Sequence, residues 1–458
     1  MGRKGVLAGF VTVLFLVLEF SAFLWAMERL SLDKALEIAL RENSTLKKAQ
    51  AEVEIARSAL RLVEKNTFSP EIGVSQSIAL TEEFNSGFSF TMKDSYSWGD
   101  SVEEKKARLV VEAAERALRK AQEEVKASVI SVYLNILQGE QSIRLAEKNL
   151  ELLRKKYEKT KAQFKEGNAA AFAVKEAEKK LKDGEMVLLN LQENFLVLKK
   201  KLNGILGRAL ETPFEVEPLP ELATVDMSFD DLKALAVKNR IELADLEGQR
   251  KAVEADQKEL KDQKKPSVKV MGEYKTDGWT VSLSVDPLRK NLDWEISRIP
   301  VRAGSSFLDG GSGEGSFGAG IVLNWIVSAG EVWREREEQY QLRLAQLGED
   351  YRMQVNSITT EVEEKYYRFK KAEGDLGIRQ IAIEVEREKY AVRKEQYKMG
   401  AIDEEALLGS EIAMMQAESD YEGNIYDLVL SWVDLKRSIG EEIRIGELFQ
   451  ASLKGVGE

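Results

Sequence analysis

The pattern of hydrophobic and polar positions divides the chain into long helical stretches and short stretches of strict alternation. From Ser101 to Leu206, apolar residues recur at helical spacing, whereas Lys, Arg and Glu fill most other positions. No proline lies between Gly99 and Gly167. The pattern predicts one helix of about 65 residues, a reversal at Gly167 and a shorter returning helix.

The same arrangement occurs a second time, which indicates an internal duplication. Around the reversal, matching residues lie 233 positions apart, as Gly167 and Gly400 do. Near the start of each copy the spacing is 196, as for Leu36 and Leu232. The second copy therefore carries 37 additional residues (233 minus 196) between Pro266 and its long helix. The predicted domains are a signal peptide at 1–26 and two structural repeats at 27–225 and 226–458.

Shorter helices precede the strands in each repeat. Ser31 and Ser228 are candidate N-caps of helices that pause at Asn43 and Asn239 before they continue. Two short helices placed end to end match the length of one long helix, since every helical residue adds about 1.5 Å. The segments 211–226 and 441–458 are predicted to form a belt around the resulting tube.

Between the helices, the hydrophobic period changes from 3.6 to 2. Alternation predicts strands at about 71–80 and 87–97 in the first repeat, and at about 268–285 and 316–326 in the second. The interval from Asp286 to Gly315 is predicted to be a long exposed loop; alternatively, Asp277-Gly278 turns a short extra hairpin. One strand face is apolar and the other small or polar, as in strands between lipid and water. Four such strands need identical neighbours to close a barrel.

The amino-acid composition excludes several classes of function and of binding site. Charged residues make up 32% and aromatic residues 8%, which is typical of long helices rather than of an α/β enzyme. Cysteine and histidine are absent, which excludes disulfides, thiolate catalysis and the common zinc sites. The net charge is −11 and no basic cluster is interleaved with aromatics, so nucleic acid is not an expected partner. We therefore predict no enzyme, no catalytic residue, no metal and no cofactor.

The N-terminus has the organisation of a secretory signal. Arg3 and Lys4 precede an apolar run from Val6 to Leu18, which is too short for a typical membrane-spanning helix. Cleavage after Ala26 is predicted, and the alternative is an uncleaved anchor. Either interpretation places the rest of the chain outside the cytoplasm.

Taken together, these features resemble the TolC family of outer-membrane efflux proteins. The matching elements are the helix opening at Leu30–Leu36, the prolines Pro70 and Pro266 after the short helices, and the entry Val327–Gly330 to the second long helix. The two reversals, Gln163–Gly167 and Gln396–Gly400, are similar to the aromatic-x-x-Gly turns of the family.

The resemblance implies a fold that is mainly α with a small β part. Long antiparallel helices would form a trimeric α-barrel, continuous with a twelve-stranded outer-membrane β-barrel to which each protomer gives four strands. The implied partners are two further copies of the chain, outer-membrane lipid, a periplasmic adaptor and an inner-membrane pump. The implied location is the outer membrane, with a large periplasmic part.

The tips of the long hairpins are the predicted functional sites. The predicted docking residues are Gly167, Asn168, Gly400 and Ala401. The alternative is a purely structural role for the glycines, which must adopt φ > 0 to reverse the chain. The family places an acid six residues after the glycine, where this sequence has Ala173 and Ala406. Three acids could supply the aperture charge instead, or could cap a helix and complement its dipole. They are Asp403, Glu404 and Glu405.

The predicted function is a passive exit duct of a tripartite efflux or type I secretion system. The alternative is a periplasmic coiled-coil spacer or adaptor without a pore of its own.

Overall fold

A computed structural model describes residues 28–64, 71–80, 84–97, 102–222, 227–263, 267–276, 279–287, 291–301, 316–324 and 330–449. The predicted signal peptide and the adjoining Met27 lie outside these ranges. Within them, no helix combines the length and the apolar character that are needed to cross a membrane.

Eight α-helices account for most of the described residues. In the first repeat they are α1 (Leu32–Glu42), α2 (Ser44–Glu64), α3 (Val102–Lys165) and α4 (Ala171–Ile205). In the second repeat they are α5 (Phe229–Asn239), α6 (Ile241–Gln263), α7 (Gly330–Lys398) and α8 (Glu404–Ser438). The predicted long helices correspond to α3, with 64 residues, and α7, with 69.

The predicted pauses and the capped start at Ser31 are present, whereas Ser228 precedes α5 without a side-chain cap bond. Ser31 precedes α1, and its side chain accepts a hydrogen bond from the backbone N–H of Lys34. The helical run pauses at Asn43, whose Oδ1 accepts from the N–H of Thr45 at 2.8 Å and so starts α2. The corresponding pause in the second repeat lies between Asn239 and Ile241.

The strands form one large sheet and one small one. They are β1 (Glu28–Leu30), β2 (Glu71–Leu80), β3 (Phe84–Ser97), β4 (Phe214–Val216), β5 (Ser267–Thr276), β6 (Trp279–Asp286), β7 (Asn291–Val301) and β8 (Ser316–Asn324). Strands β1 and β4 pair in parallel. The other six form an antiparallel sheet in the order β2-β3-β7-β6-β5-β8.

Within the described ranges, the large sheet has six strands rather than the four that were predicted per protomer. The run from 268 to 285 contains two strands, β5 and β6, which pair antiparallel. Asp277 and Gly278, the residues of the alternative hairpin turn, lie outside the described residues. The predicted loop from Asp286 to Gly315 contains β7, where Leu292, Trp294 and Ile296 alternate with polar residues. The additional hairpin β6–β7 accounts for most of the 37 residues by which the second repeat is longer.

The two faces of the sheet differ as the alternation predicts. Across β3, β7, β6 and β5, apolar positions pair with apolar positions, as in Met92↔Ile296 and Val281↔Ile296. Polar positions likewise pair with polar ones, as in Ser95↔Asp293. Large side chains on the apolar face are exposed in the single chain, among them Phe317 and Ile321 with 73% and 70% of their surface.

Two structural units are formed from discontinuous parts of the chain. One comprises Met1–Ala49, Leu118–Ile241 and Val355–Glu458, and the other Gln50–Ala117 and Glu242–Gln354. The second unit contains the six-stranded sheet. In the first, Tyr133 of α3 is fully buried, and its hydroxyl lies 2.8 Å from the carbonyl oxygen of Leu30 and 2.7 Å from that of Glu217.

The two segments predicted to form a belt meet in the first unit. Leu222 and Phe449 form an isolated antiparallel bridge. Ile443, Ile445 and Leu448 are buried after the end of α8. The irregular links after α4 and α8 are thus packed together, although they lie more than two hundred residues apart in the chain.

Candidate functional site: the tips of the long helical hairpins

Both reversals are helix C-caps of the Schellman type. Gly167 and Gly400 have φ of 79° and 72°. The N–H of Asn168 donates to the carbonyl of Gln163 at 2.7 Å, and the N–H of Ala401 donates to that of Gln396 at 2.9 Å. This geometry requires a left-handed residue, which glycine adopts without steric cost. The structural role predicted for the two glycines is confirmed, and their docking role stays a prediction.

Contacts between side chains give the order of the four long helices in the first unit as α4-α3-α8-α7. A β-carbon on Gly184 of α4 would lie 2.8 Å from Leu153 of α3, so these helices approach closely at the glycine. Lys155 of α3 contacts Glu404 of α8. Arg387 of α7 lies 2.9 Å from Glu418 of α8. Helices α4 and α7 are therefore the flanks of the group.

Ion pairs join α3 to the first turn of α8. Lys155 Nζ lies 2.8 Å from Glu404 Oε1, and Lys159 Nζ lies 3.1 Å from both Asp403 Oδ2 and Glu405 Oε2. We call these five residues the tip ladder. Next to it, Lys156 lies 3.6 Å from Glu405 and Lys148 lies 3.3 Å from Glu411. All three predicted aperture acids therefore have lysine partners within the same chain.

Asp403 also caps α8. Its Oδ1 accepts from the N–H of Ala406 at 2.9 Å, which confirms the predicted N-cap. The corresponding residue in the first repeat, Ala170, makes no side-chain cap of α4. Helix α4 begins Ala171-Phe172-Ala173, whereas α8 begins Glu404-Glu405-Ala406. The tip ladder is therefore confined to one of the two hairpins.

The electrostatic environment favours the charged forms of Asp403, Lys155 and Lys159. The backbone N–H of Ala406 and the ammonium of Lys159 lower the pKa of Asp403. Hydrogen bonds to Glu404 and Glu151 raise the pKa of Lys155. Those to Asp403 and Glu405 raise the pKa of Lys159. Asp403 and Lys159 are exposed and Lys155 is half-buried, so salt screens their attraction to their partners.

Apolar side chains surround the two glycines. Phe172 and Met399 are each 74% exposed, and Phe164 and Tyr397 are also exposed. A β-carbon on either Gly167 or Gly400 would have no neighbour within 4 Å. Each tip is thus a backbone turn fixed by hydrogen bonds, with apolar side chains beside it that no other part of the described chain covers.

The lysines of the ladder were not singled out in the sequence. Their spacing of four on one face of α3 is a usable signal, because residues four apart lie one helical turn from each other. Their partners lie almost 250 positions away, so the pairing itself depends on the tertiary structure. Within the ranges that the structure describes, no group of acids is arranged to hold a metal ion.

Comparisons with known proteins agree with this architecture. Residues 35–208 match the model of the outer membrane efflux protein family. No curated protein sequence matches the chain. Several solved structures share its fold at low sequence identity.

The CmeC outer membrane channel of Campylobacter jejuni is 16% identical with a TM-score of 0.65, over 92% of this chain and 87% of that one. The outer membrane protein VceC of Vibrio cholerae is 14% identical with a TM-score of 0.65, over 90% and 97%. The MtrE outer membrane channel of Neisseria gonorrhoeae is 17% identical with a TM-score of 0.60, over 92% and 91%.

These likenesses confirm a fold that is mainly helical with a small β part. The matched family consists of efflux proteins rather than enzymes, in agreement with the prediction that the chain is not catalytic. The chain is therefore similar to outer membrane efflux proteins in sequence over residues 35–208, and it shares the fold of outer-membrane channels over most of its length.

Proposed function

We propose that this protein is the outer-membrane exit duct of an export system, in which three copies enclose a passive pore and a partner supplies the energy. The observation that carries the proposal is the six-stranded sheet with one exposed apolar face and one polar face. A face of this kind suits contact with lipid, and the polar face suits a wet lumen. In a periplasmic spacer this apolar face would be exposed to water, which is unusual for a soluble protein.

The flanks of the helical group support assembly with further copies. Exposed apolar residues lie on both α4 and α7, the outer helices of the order α4-α3-α8-α7. On α4 they are Met186, Val187, Leu196 and Val197, and on α7 they are Tyr367, Ile378, Ile381 and Val385. A ring of copies would place α4 of one copy against α7 of the next and remove this surface from water.

We further propose that the tips dock a periplasmic adaptor, through the turns at Gly167-Asn168 and Gly400-Ala401 and the apolar side chains beside them. The exposure of Phe172 and Met399 supports this role. Where three copies converge, Asp403 and Glu404 would also line the aperture, since their side chains keep 58% and 60% of their surface exposed beside their lysine partners. Their carboxylates would favour cations at the mouth.

Conductance tests the proposed pore. Purified protein reconstituted into a planar bilayer is expected to give stable single-channel currents and to require detergent before reconstitution. A mature chain that stays monomeric in water and produces no current would contradict the pore and favour the spacer.

The docking role is tested separately at Gly400. The substitution Gly400→Pro removes the N–H that donates to Tyr397 and is incompatible with φ of 72°. Export is expected to be lost while bilayer conductance is retained. The matched control is Gly377→Ala, within α7, where an added β-carbon meets no neighbour within 4 Å. Normal export by the Gly400→Pro variant would contradict the docking role.

A further inference from the structure

The hairpin β6–β7 is built into the middle of the sheet. In the order β2-β3-β7-β6-β5-β8 it separates β3, which belongs to the first repeat, from β5, which belongs to the second. The hairpin is paired on both sides. Strand β7 pairs with β3 from Phe90↔Arg298 to Ser97↔Asn291. Strand β6 pairs with β5 from Thr276↔Trp279 to Val270↔Val285. Because it is paired along most of its length on both sides, the hairpin is an integral part of the six-stranded sheet.

Polar contacts tie the hairpin to strands of both repeats. Asp293 of β7 lies 2.7 Å from the hydroxyl of Ser95 on β3, 3.3 Å from that of Ser284 on β6 and 3.5 Å from Lys269 Nζ on β5. All four side chains lie on the polar face of the sheet. One carboxylate thus connects four adjacent strands, which fixes the hairpin in register with both neighbours.

The hairpin also continues the apolar face. Trp279 of β6 packs edge-on against Phe90 of β3, with ring centroids 6.3 Å apart, and carries the guanidinium of Arg298 over its ring at 5.1 Å. Val281 and Leu283 of β6 are exposed on the same face. The apolar surface therefore runs unbroken from β3 through the hairpin to β5.

The two outer strands of the sheet are complementary edges. Every neighbouring pair is antiparallel, so with six strands the first, β2, and the last, β8, run in opposite directions. Within the described part of the chain, the outer side of each carries no strand. Long unpaired edges recruit further strands. The edge β2 of one copy can therefore accept β8 of the next in the same antiparallel pattern, with Ile72 and Ile321 continuing the apolar face.

From these observations we propose that each copy contributes six strands to the membrane ring, eighteen in a trimer, instead of the twelve that four strands per copy would give. The proposal rests on the proposed function, because it takes the trimeric pore as given. The diameter of a strand ring grows roughly in proportion to strand number, so the pore through the membrane is about 1.5 times as wide as a twelve-stranded one. Rings of 16–18 strands enclose an open aqueous channel.

Spin-label distances test the proposal on the full-length protein. The chain contains no cysteine, so Thr91→Cys on the polar face of β3 introduces a single labelling site per copy. With strands about 4.8 Å apart and tilted by about 40°, the ring radius is about 18 Å for eighteen strands and about 12 Å for twelve. Labels on a threefold ring are then expected about 31 Å apart rather than about 21 Å.

A deletion provides the matched control. Strands β5 and β7 end at the same end of the sheet, so removal of residues 277–301 takes out the whole hairpin and joins Thr276 to the segment that leads into β8. Since β3 and β5 run in opposite directions, they can pair directly after the deletion. The label distance is expected to shorten to about 21 Å in this variant.

The outcomes separate the two proposals. A distance of about 31 Å in the full-length trimer supports six strands per copy, and a distance of about 21 Å overturns it while leaving the trimeric duct intact. A labelled protein that is monomeric by native mass, with no dipolar signal, overturns the proposed function itself. If the deletion variant fails to fold, the full-length distance still decides between the two ring sizes.

Discussion

The carbonyl oxygen of Glu42 lies 2.5 Å from the position that a β-carbon would occupy on Gly207. Gly440, the equivalent residue in the second repeat, has the carbonyl oxygen of Asn239 at 2.9 Å from the same position. In each repeat, the end of the returning helix is therefore packed against the break between the two short helices. Asn43 adds a hydrogen bond from its Nδ2 to the carbonyl of Ile205 at 2.7 Å.

Alanine at Gly207 is expected to destabilise the protein more than alanine at Gly167. Both glycines have positive φ, which costs about 1–2 kcal/mol for a residue with a β-carbon. Only Gly207 also faces a backbone oxygen that cannot move without shifting α1. Thermal unfolding of Gly207→Ala and Gly167→Ala should therefore give a lower midpoint for the former. Equal midpoints would mean that the close approach has no energetic consequence.

The substitution Tyr133→Phe is expected to lower the free energy of unfolding by about 1–3 kcal/mol. The hydroxyl accepts from the N–H of Glu217 at 3.0 Å and lies within hydrogen-bonding distance of the Leu30 carbonyl, so its loss leaves buried polar groups unsatisfied. Denaturant unfolding measures the effect. Tyr96→Phe is the control, because Tyr96 is 50% exposed. A loss no larger than that of the control would show that water replaces the hydroxyl.

The stabilisation that the tip ladder gives to the contact between α3 and α8 is expected not to change between about pH 5 and about pH 9. It is expected to weaken as the salt concentration rises. The pKa of Asp403 is lowered. The contribution of its carboxylate to stability is therefore complete above the ordinary pKa of 3.8 and is lost as the pH falls through the lowered pKa. The pKa values of Lys155 and Lys159 are raised, so their contribution is complete below 10.5 and is lost as the pH rises through the raised values. The chain has no histidine to titrate between these limits.

Hydrogen-exchange protection of residues 401–410, corrected for the intrinsic exchange rate, measures this behaviour. A flat protection profile between about pH 5 and about pH 9, together with a decrease on raising the ionic strength, is expected. A titration midpoint inside that pH interval would contradict the assignment of these ion pairs.

Reversal of charge at Lys155 is expected to loosen the contact between α3 and α8. In Lys155→Glu, the new carboxylate faces Glu404 at the position where the ammonium now lies 2.8 Å away, and Glu151 stands one turn before it on α3. Several-fold lower exchange protection at the start of α8 and a higher single-channel conductance are expected.

Two variants control for this substitution. Lys180→Glu changes the charge equally, but Lys180 contacts only Glu176 of its own helix among the ion pairs of the described chain. The second change Glu404→Lys in the Lys155→Glu background restores opposite charges and should recover the protection. Failure of the double variant to recover would indicate that packing rather than charge holds the contact.

Much of the helical part could be predicted from the sequence, because its determinants are local. The apolar spacing of α3, the N-cap Ser31 and the glycines that end each long helix act within a few residues of their own position. The repeat spacing of 233 also identifies Gly207 and Gly440 as equivalent residues. Their contacts with Glu42 and Asn239 could not be derived in this way, because the partners lie 165 (207 minus 42) and 201 (440 minus 239) positions away.

The second repeat shows where the sequence pattern was misleading. The alternation of Leu292, Trp294 and Ile296 in β7 was obscured by Arg298 on the apolar side, by Pro300 and by the Gly/Ser-rich stretch that follows. In the structure, Arg298 is buried over Trp279, and Pro300 lies beside a shift in register between Phe88 and Phe90, where a missing N–H is tolerated. The partner strands make these residues compatible with a strand.

The sequence by itself determined the long helices, the N-caps Ser31 and Asp403 and the two-faced character of the strands, since all of these follow from periodicity and backbone preference. Only the tertiary structure decided the insertion of β6–β7 between β3 and β5 and the pairing of Lys155 and Lys159 with the acids of α8. Strand order and ion-pair partners depend on which distant segments pack together, and that choice is set by the burial and pairing of the whole fold rather than by any local pattern.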